Sequence, residues 1–224
     1  MERTSQKVSM AVVRRLPKYY RYLEDLLNKE VYRISSKELS KIMRLTASQI
    51  RQDLNCFGGF GQQGYGYNVE ELHREIGKIL GITRKYKTII VGAGNIGQAI
   101  ANYSHFEKKG FELQAMFDIN PKLIGLKIRD VEIYDVDYLE DFVRENSIDV
   151  GIICVPREKA QEITEKLVGA GIKGIWNFAP YDIIVPENVV LENVHLSESL
   201  YTLAYLLNEN AETDQDNSES TEIN

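Results

Sequence analysis

Three features of the 224-residue sequence predict an α/β protein built in two parts with a further helix at the end. Residues 1–85 carry 16 Lys or Arg against 9 Asp or Glu, and residues 86–224 carry 11 against 24, so a basic part precedes an acidic one. Two helix-start signals and a glycine-rich aromatic stretch crowd into the basic part, and the acidic part alternates apolar runs with helical patterns around Gly92-Ala93-Gly94-Asn95-Ile96-Gly97. These features predict an amino-terminal winged helix-turn-helix domain, residues 1–82, then a Rossmann-type parallel-sheet domain, residues 83–196. A carboxyl-terminal apolar helix, 197–208, and an acidic tail, 209–224, complete the chain.

Residues 1–10 are polar and read as disordered. Val13, Leu16, Tyr20, Leu23 and Leu27 then recur at helical spacing, which predicts a helix from Val12 to about Asn28. Pro17 marks an alternative start, because proline is tolerated in a first turn. Arg14, Arg15, Lys18 and Arg21 crowd the opening of this helix, either as a solvated face or as phosphate contacts. Ser35 and Glu38 fit a capping box that opens a short helix through Met43, and Thr46 and Gln49 fit another that opens a helix through Leu54. Two short helices joined by so brief a turn make a helix-turn-helix.

In the second of these helices Ala47, Ile50 and Leu54 share one face, while Ser48, Arg51, Gln52 and Asn55 lie on the other. Arginine pairs with guanine edges and glutamine with adenine, so Ser48, Gln49, Arg51 and Gln52 are the candidate contacts to DNA. Two ordinary surface helices are the alternative. The stretch Phe57 to Asn68 suits a β-hairpin wing, with Gln62, Gln63 and Tyr65 as its candidate contacts. Asn68 caps a further helix whose inner side carries Leu72, Ile76, Ile79 and Leu80, and residues 82–85 form the junction.

Beyond the junction the pattern predicts strand 87–91, helix 95–103, strand 111–117, a small hairpin or loop at 125–130, and a strand near 130–134. Helix 136–145, strand 149–155, helix 158–169, strand 174–178 and a last short strand at 189–194 follow. Alternation of this kind gives a parallel sheet with helices on both faces. The final helix, 200–207, is apolar almost all round through Leu200, Tyr201, Leu203, Ala204, Tyr205, Leu206 and Leu207. Such a helix must be buried, and a second subunit is its natural cover. Residues 208–224 carry six acids and no base and read as disordered.

The glycine run follows the apolar Thr88-Ile89-Ile90-Val91 and opens a helix, which is the layout of a dinucleotide-phosphate loop. One glycine makes the tight turn, one lets backbone approach a pyrophosphate, and one lets the helix pack on its strand. Asp118 lies 21 residues after Gly97, where a carboxylate would accept the hydroxyls of an adenosine ribose and repel a 2′-phosphate. This favours NADH and NAD as ligands. The bland reading of Asp118 is a loop-forming Asp-Ile-Asn-Pro turn, and both readings are compatible.

Strand ends at the carboxyl edge add Ile119, Val155, Pro156, Asn177 and Phe178 to the candidate cofactor site, with the nicotinamide near the prolines. Tyr103 and His105 read either as acids or as helix-end residues, and no Ser/His/Asp, Cys/His or lysine-and-tyrosine relay stands out. Cys56 and Cys154 offer neither metal spacing nor a disulfide framework, and His73, His105 and His195 show no ligand spacing, so no metal is assigned. No apolar stretch reaches the roughly 18–20 residues that cross a membrane, and the opening lacks the core of a secretory signal. The expected compartment is the cytoplasm.

Over residues 10–208 the chain resembles the Rex family of bacterial redox-sensing transcriptional repressors. The resemblance rests on Ile34 to Leu39, Thr46 to Leu54, Phe60-Gly61 with Gly64 to Tyr67, Val91 to Gly97, and Gly171 to Pro180. It implies a homodimer with a domain-swapped carboxyl-terminal helix, which binds palindromic operator DNA when NADH is scarce and releases it when NADH binds. It also implies that Arg51 touches bases, that Asp118 holds the ribose, and that Tyr103 lies near the nicotinamide. By the same likeness Arg21 couples the two domains through an aspartate of the exchanged helix. This sequence departs at His195, where that aspartate is expected, at Leu196, where a phenylalanine is common, and at Gln62-Gln63, where lysine or arginine is usual. Two rival classes stay open: an NAD-dependent oxidoreductase, and a DNA-binding dimer with a vestigial glycine loop.

Overall fold

A computed structural model describes residues 8–62 and 65–219, the side chains of Gln62 and of 211–219 excepted. The expectations for Gln63, and for the polar opening before residue 8 and the tail after 219, lie outside the described residues. The chain divides into two compact units, Met1–Arg84 and Lys85–Asn224.

In the first unit, α1 (Met10–Val13) is capped by Ser9, and α2 (Leu16–Asn28) starts afresh with Pro17 in its first turn. The break at Arg14-Arg15 bears out the second of the two predicted starts: a proline has no N–H to donate, so it sits where a helix has no acceptor to offer. A two-residue strand β1 (Arg33–Ile34) precedes α3 (Ser36–Met43), where Ser35 and Glu38 form the expected capping box. Arg44 takes a left-handed conformation with φ 55°, turning the chain into α4 (Ala47–Asn55), whose cap is Thr46. The wing is β2 (Gly61–Gln62) and β3 (Gly66–Asn68), and α5 (Val69–Ile79) closes the unit. β3 pairs antiparallel with both β1 and β2. Gly66, at φ 71°, brings β3 so close to β1 that a Cβ there would lie 2.6 Å from the Ile34 carbonyl oxygen. Leu16, Leu23, Leu39, Met43, Ile50, Leu54, Leu72 and Ile76 form the buried core.

The second unit runs β4 (Tyr86–Val91), α6 (Asn95–Asn102), α7 (His105–Lys108), β5 (Phe111–Asp118), β6 (Lys127–Ile128) and β7 (Val131–Asp135). A 3-10 turn (Val136–Tyr138) leads into α8 (Leu139–Asn146), then β8 (Val150–Ile153), α9 (Arg157–Gly169), β9 (Gly174–Asn177) and β10 (Val190–Asn193). The sheet order is β10-β9-β8-β4-β5-β7-β6, parallel except for β6, which returns as a hairpin on β7. Strand order reverses at β4, with β5 on one side and β8 on the other, so the crevice opens outside the carboxyl ends of β4 and β8.

Ile89, Val91, Phe117 and Ile153 face α8 and α9, packing on Leu139, Val143, Ala160 and Leu167. Ile90, Met116, Ile133 and Ile152 face the other way, onto Ala101 of α6. On that side α6 and α7 leave an apolar cavity of about 310 Å³ lined by Tyr103, Phe106, Phe111, Ile152 and Trp176.

The last helix, α10, extends from Leu196 to Glu219, longer at both ends than the predicted 200–207. The acidic stretch expected to be a disordered tail is helical as far as Glu219, since no glycine or proline interrupts it. Among the described residues no helix is long and apolar enough to cross a membrane, and no group of three His, Cys, Asp or Glu could hold a metal.

Candidate dinucleotide site and nucleic-acid face

The crevice is shaped by three glycines with three different tasks. Gly92 has φ 100°, and a Cβ there would lie 2.5 Å from the Cys154 carbonyl oxygen, so the chain leaving β4 passes β8 with no room for a side chain. At Gly97 a Cβ would run into the Gly92 carbonyl oxygen, which is how close α6 lies to its strand. At Gly94 an added Cβ meets nothing within 4 Å. Protein packing therefore gives no reason for a glycine at 94, and the space it leaves opens into a cavity of about 580 Å³. Gly94 is also the N-cap of α6 and offers no side-chain cap, so the first-turn N–H groups are left for an anion.

Asp118, at the end of β5, closes the loop from below. Its Oδ2 accepts the Ala93 N–H at 2.6 Å and its Oδ1 accepts the Asn120 N–H at 2.8 Å. The second bond is the Asp-Ile-Asn turn foreseen as the bland alternative, so the turn and the place on the cavity wall coexist. Each carboxylate oxygen retains a lone pair for a hydroxyl donor. Gly92, Asn95, Ile96, Ile119, Val155 and Pro156 line the same cavity. Ile119 is an apolar side chain 73% exposed there.

Cys154 lines the wall as well, and burial pushes its thiol up to about 12. Lys159, Glu162 and Lys166 of α9 complete that wall, with Lys159 Nζ 2.8 Å from Glu162. Sequence reasoning passed over these three. Their spacing along one helix was legible, but which face of α9 met the crevice was not.

Tyr103, Asn177 and Phe178 stand apart from this cavity, contrary to expectation. Tyr103 ends α6, about 12 Å of helix away from the glycine loop, and its ring packs on Phe106 at 4.8 Å in the second cavity. Asn177 is fully buried: its amide donates to the Tyr181 carbonyl and to Asn193 Oδ1, both at 2.8 Å, and its Oδ1 accepts the Ala179 N–H. The bond to Asn193 fastens β9 to β10, the other two hold the segment that follows β9, and the side chain is closed off from solvent. Phe178 stacks edge-on against Trp176. His195 Nε2 lies 2.9 Å from Asp182 Oδ1, and Leu196 is 62% exposed.

In the first unit α4 presents Ser48, Arg51, Gln52 and Asn55 to solvent, with Gln49 half-buried. Arg51 Nη1 donates to Ser36 Oγ at 3.1 Å. At the wing Tyr65 is 70% exposed, and the Arg33 guanidinium lies 6.0 Å from its ring centre, adding a cation that composition alone did not single out. Arg14 is exposed and Arg21 lies over the Tyr22 ring.

The other two expected phosphate contacts are engaged inside the unit. Arg15 donates through Nε and Nη2 to the two oxygens of Asp53, each at 2.7 Å, and Lys18 Nζ donates to the Met43 carbonyl at 2.8 Å, capping α3. Tyr19 OH donates to Asp53 Oδ2 at 2.9 Å. Asp53 is only 2% exposed. The Asp53 carboxylate raises the Arg15 pKa above its ordinary value, and burial, helped by the same bond, raises that of Tyr19. A signal for Asp53 existed: it lies beside Ile50 and Leu54 on the apolar face of α4, where an unpaired acid would be costly.

Residues 83–181 match the family described as a CoA binding domain, and residues 7–55 match that described as a putative DNA-binding protein N-terminus. The redox-sensing transcriptional repressor Rex of Clostridium tetani is 67% identical over 92% of this chain and 98% of its own length. A crystal structure of RSP in complex with beta-NAD+ and operator DNA superposes with a TM-score of 0.87 at 63% identity, covering 95% of this chain and 98% of that one. A structure of RSP in complex with beta-NADH gives 0.87 at 60% identity, over 94% and 99%.

Proposed function

Because the chain belongs to the Rex family of redox-sensing transcriptional repressors, we propose that it binds operator DNA through its winged unit and NADH or NAD in the crevice above β4 and β8. The observation that carries the nucleotide assignment is the open space at Gly94 beside the Asp118–Ala93 clamp. The pyrophosphate lies along the first turn of α6, Asp118 takes the ribose hydroxyls, and Ile119 supports the adenine. The nicotinamide half then extends toward Val155 and Pro156.

Arg51, Gln52 and Ser48 read base edges, with Arg14, Gln49 and Tyr65 on the flanking backbone. Gln62 and Gln63 carry no charge, so the salt dependence of binding is shallower than a basic wing would give. Arg15 and Lys18 are withdrawn from the phosphate set by their internal bonds.

The oligomer is a homodimer. Leu196, Leu200, Leu203, Leu206 and Leu207 of α10 are each more than half exposed, a surface that water does not tolerate on a lone helix. In our reading α10 is exchanged, and the apolar cavity beside Tyr103, Phe106 and Trp176 receives the helix of the second subunit. That role relocates Tyr103 from the cofactor to the subunit interface. At position 195 the carboxylate is supplied by Asp182, which sits 2.9 Å from the histidine that replaces the expected aspartate.

The protein regulates and does not turn its ligand over. NADH acts by favouring one arrangement of the dimer, and the requirement is a difference in its affinity for DNA-competent and DNA-incompetent states. Gel shifts on a palindromic AT-rich operator at stepped NADH/NAD ratios test this.

A further inference from the structure

The cluster of half-buried Arg15 with buried Tyr19 and Asp53 takes no part in the ligand contacts assigned above, yet it holds the inner face of α4. We propose that Asp53, gripped by Arg15 and Tyr19, is a positioning residue that sets the rotation of α4 about its axis and thereby decides which base edges Arg51 and Gln52 meet. The inference rests on the reading of α4 as the base-contacting helix.

Three considerations support it. The apolar anchors of α4, Ile50 and Leu54, bury well but grip without direction, because hydrophobic contact is nearly indifferent to small rotations. The Arg15 fork is directional: two parallel bonds of 2.7 Å fix a carboxylate in a plane, and the Tyr19 hydroxyl at 2.9 Å fixes it from a second side. With a helix radius of about 5–6 Å including side chains, a rotation of ~20° would move a side-chain tip by about 2 Å. That exceeds the tolerance of a hydrogen bond to a base edge.

Stability alone does not account for the cluster. Desolvating a carboxylate offsets much of the attraction it gains, and buried ion pairs are often replaced by apolar residues without loss of stability. Asp53 is adjacent in sequence to Gln52 and two residues from Arg51, so any adjustment of its bonds is transmitted to both.

The test uses the full-length protein without NADH, with competition gel shifts on an operator duplex and a scrambled duplex of equal length. The variant Arg15→Met/Asp53→Leu fills the same space with apolar groups. It is expected to keep its melting temperature, its NADH affinity and its binding to scrambled DNA, while the operator-to-scrambled ratio falls about tenfold, the worth of one bidentate base contact. Tyr19→Phe is expected to lower the ratio by a smaller factor. A folded double variant that keeps the wild-type ratio overturns the proposal, as does equal weakening on both duplexes. If the double variant does not fold, Asp53→Asn and Tyr19→Phe decide, and retention of the ratio in both overturns it. Arg51→Ala separates the two levels. If it too keeps the ratio, the reading of α4 has failed and the proposal with it; if it loses the ratio while the double variant keeps it, only the positioning role is overturned.

Discussion

Asp118 Oδ2 accepts the Ala93 N–H at 2.6 Å, so the acid that ends β5 also holds the second residue of the glycine loop. One side chain thus shapes the glycine loop and, in the proposed site, would present its remaining lone pairs to the ribose. Asp118→Ala should weaken NADH binding roughly tenfold or more, the worth of a hydrogen bond to a charged group. It should also narrow the gap between NADH and NADPH, because the charge that repels a 2′-phosphate is gone. Calorimetric dissociation constants for both nucleotides check this; an unchanged NADH/NADPH ratio would contradict the ribose role.

The glycines of the loop are expected to fail in different ways. Gly94→Ala places a methyl in open space, so the fold should melt at the wild-type temperature while NADH binding drops sharply. Gly97→Ala drives a methyl into the Gly92 carbonyl and should destabilise the second unit by about 1–3 kcal/mol. Differential scanning calorimetry alongside NADH titration distinguishes them. Equal loss of stability in both variants would show that Gly94 serves packing after all.

Leu203 of α10 is 51% exposed and lies among other bare leucines. With α10 at the proposed subunit interface, Leu203→Glu should convert the dimer to monomer at micromolar concentration, because a carboxylate buried there would lose its hydration without gaining a partner. Sedimentation velocity reads this directly, and a variant that stays dimeric removes α10 from the interface.

Cys154 lines the crevice beside the glycine loop, but burial pushes its thiol up to about 12, so it stays protonated at neutral pH and is a poor nucleophile. Iodoacetamide at pH 7.5, followed by peptide mass spectrometry, should label the exposed Cys56 well before Cys154. Labelling of Cys154 at the same rate would contradict the raised thiol pKa.

Features defined by local chemistry were legible in the sequence, and those that depend on partners far along the chain were not. The loop 92–97, the capping box at Ser35 and Glu38, and the exposed face of α4 follow from spacing within one or two turns. Strand β1 went unread because it has two residues and owes its existence to β3, more than thirty positions later. Arg14 and Arg15 are adjacent and chemically alike, yet one is exposed and the other is bound to Asp53, a difference that no local pattern encodes. Asn177 and Phe178 were placed correctly at a strand end, but period-two alternation does not say that Asn177 turns inward to fasten β10. The end of α10 was misread because acidic polarity signals disorder as readily as it signals an exposed helix.

On the proposed function, the redox state of the bound nucleotide sets the affinity for operator DNA. Fluorescence anisotropy of a labelled palindromic operator, titrated with the full-length dimer at fixed total nucleotide and stepped NADH/NAD ratio, measures it most directly. The operator dissociation constant is expected to rise steadily with the NADH fraction, at least tenfold between the extremes, a coupling of about 1.4 kcal/mol. A dissociation constant that stays flat across the series, in a protein shown by calorimetry to bind NADH, would contradict it.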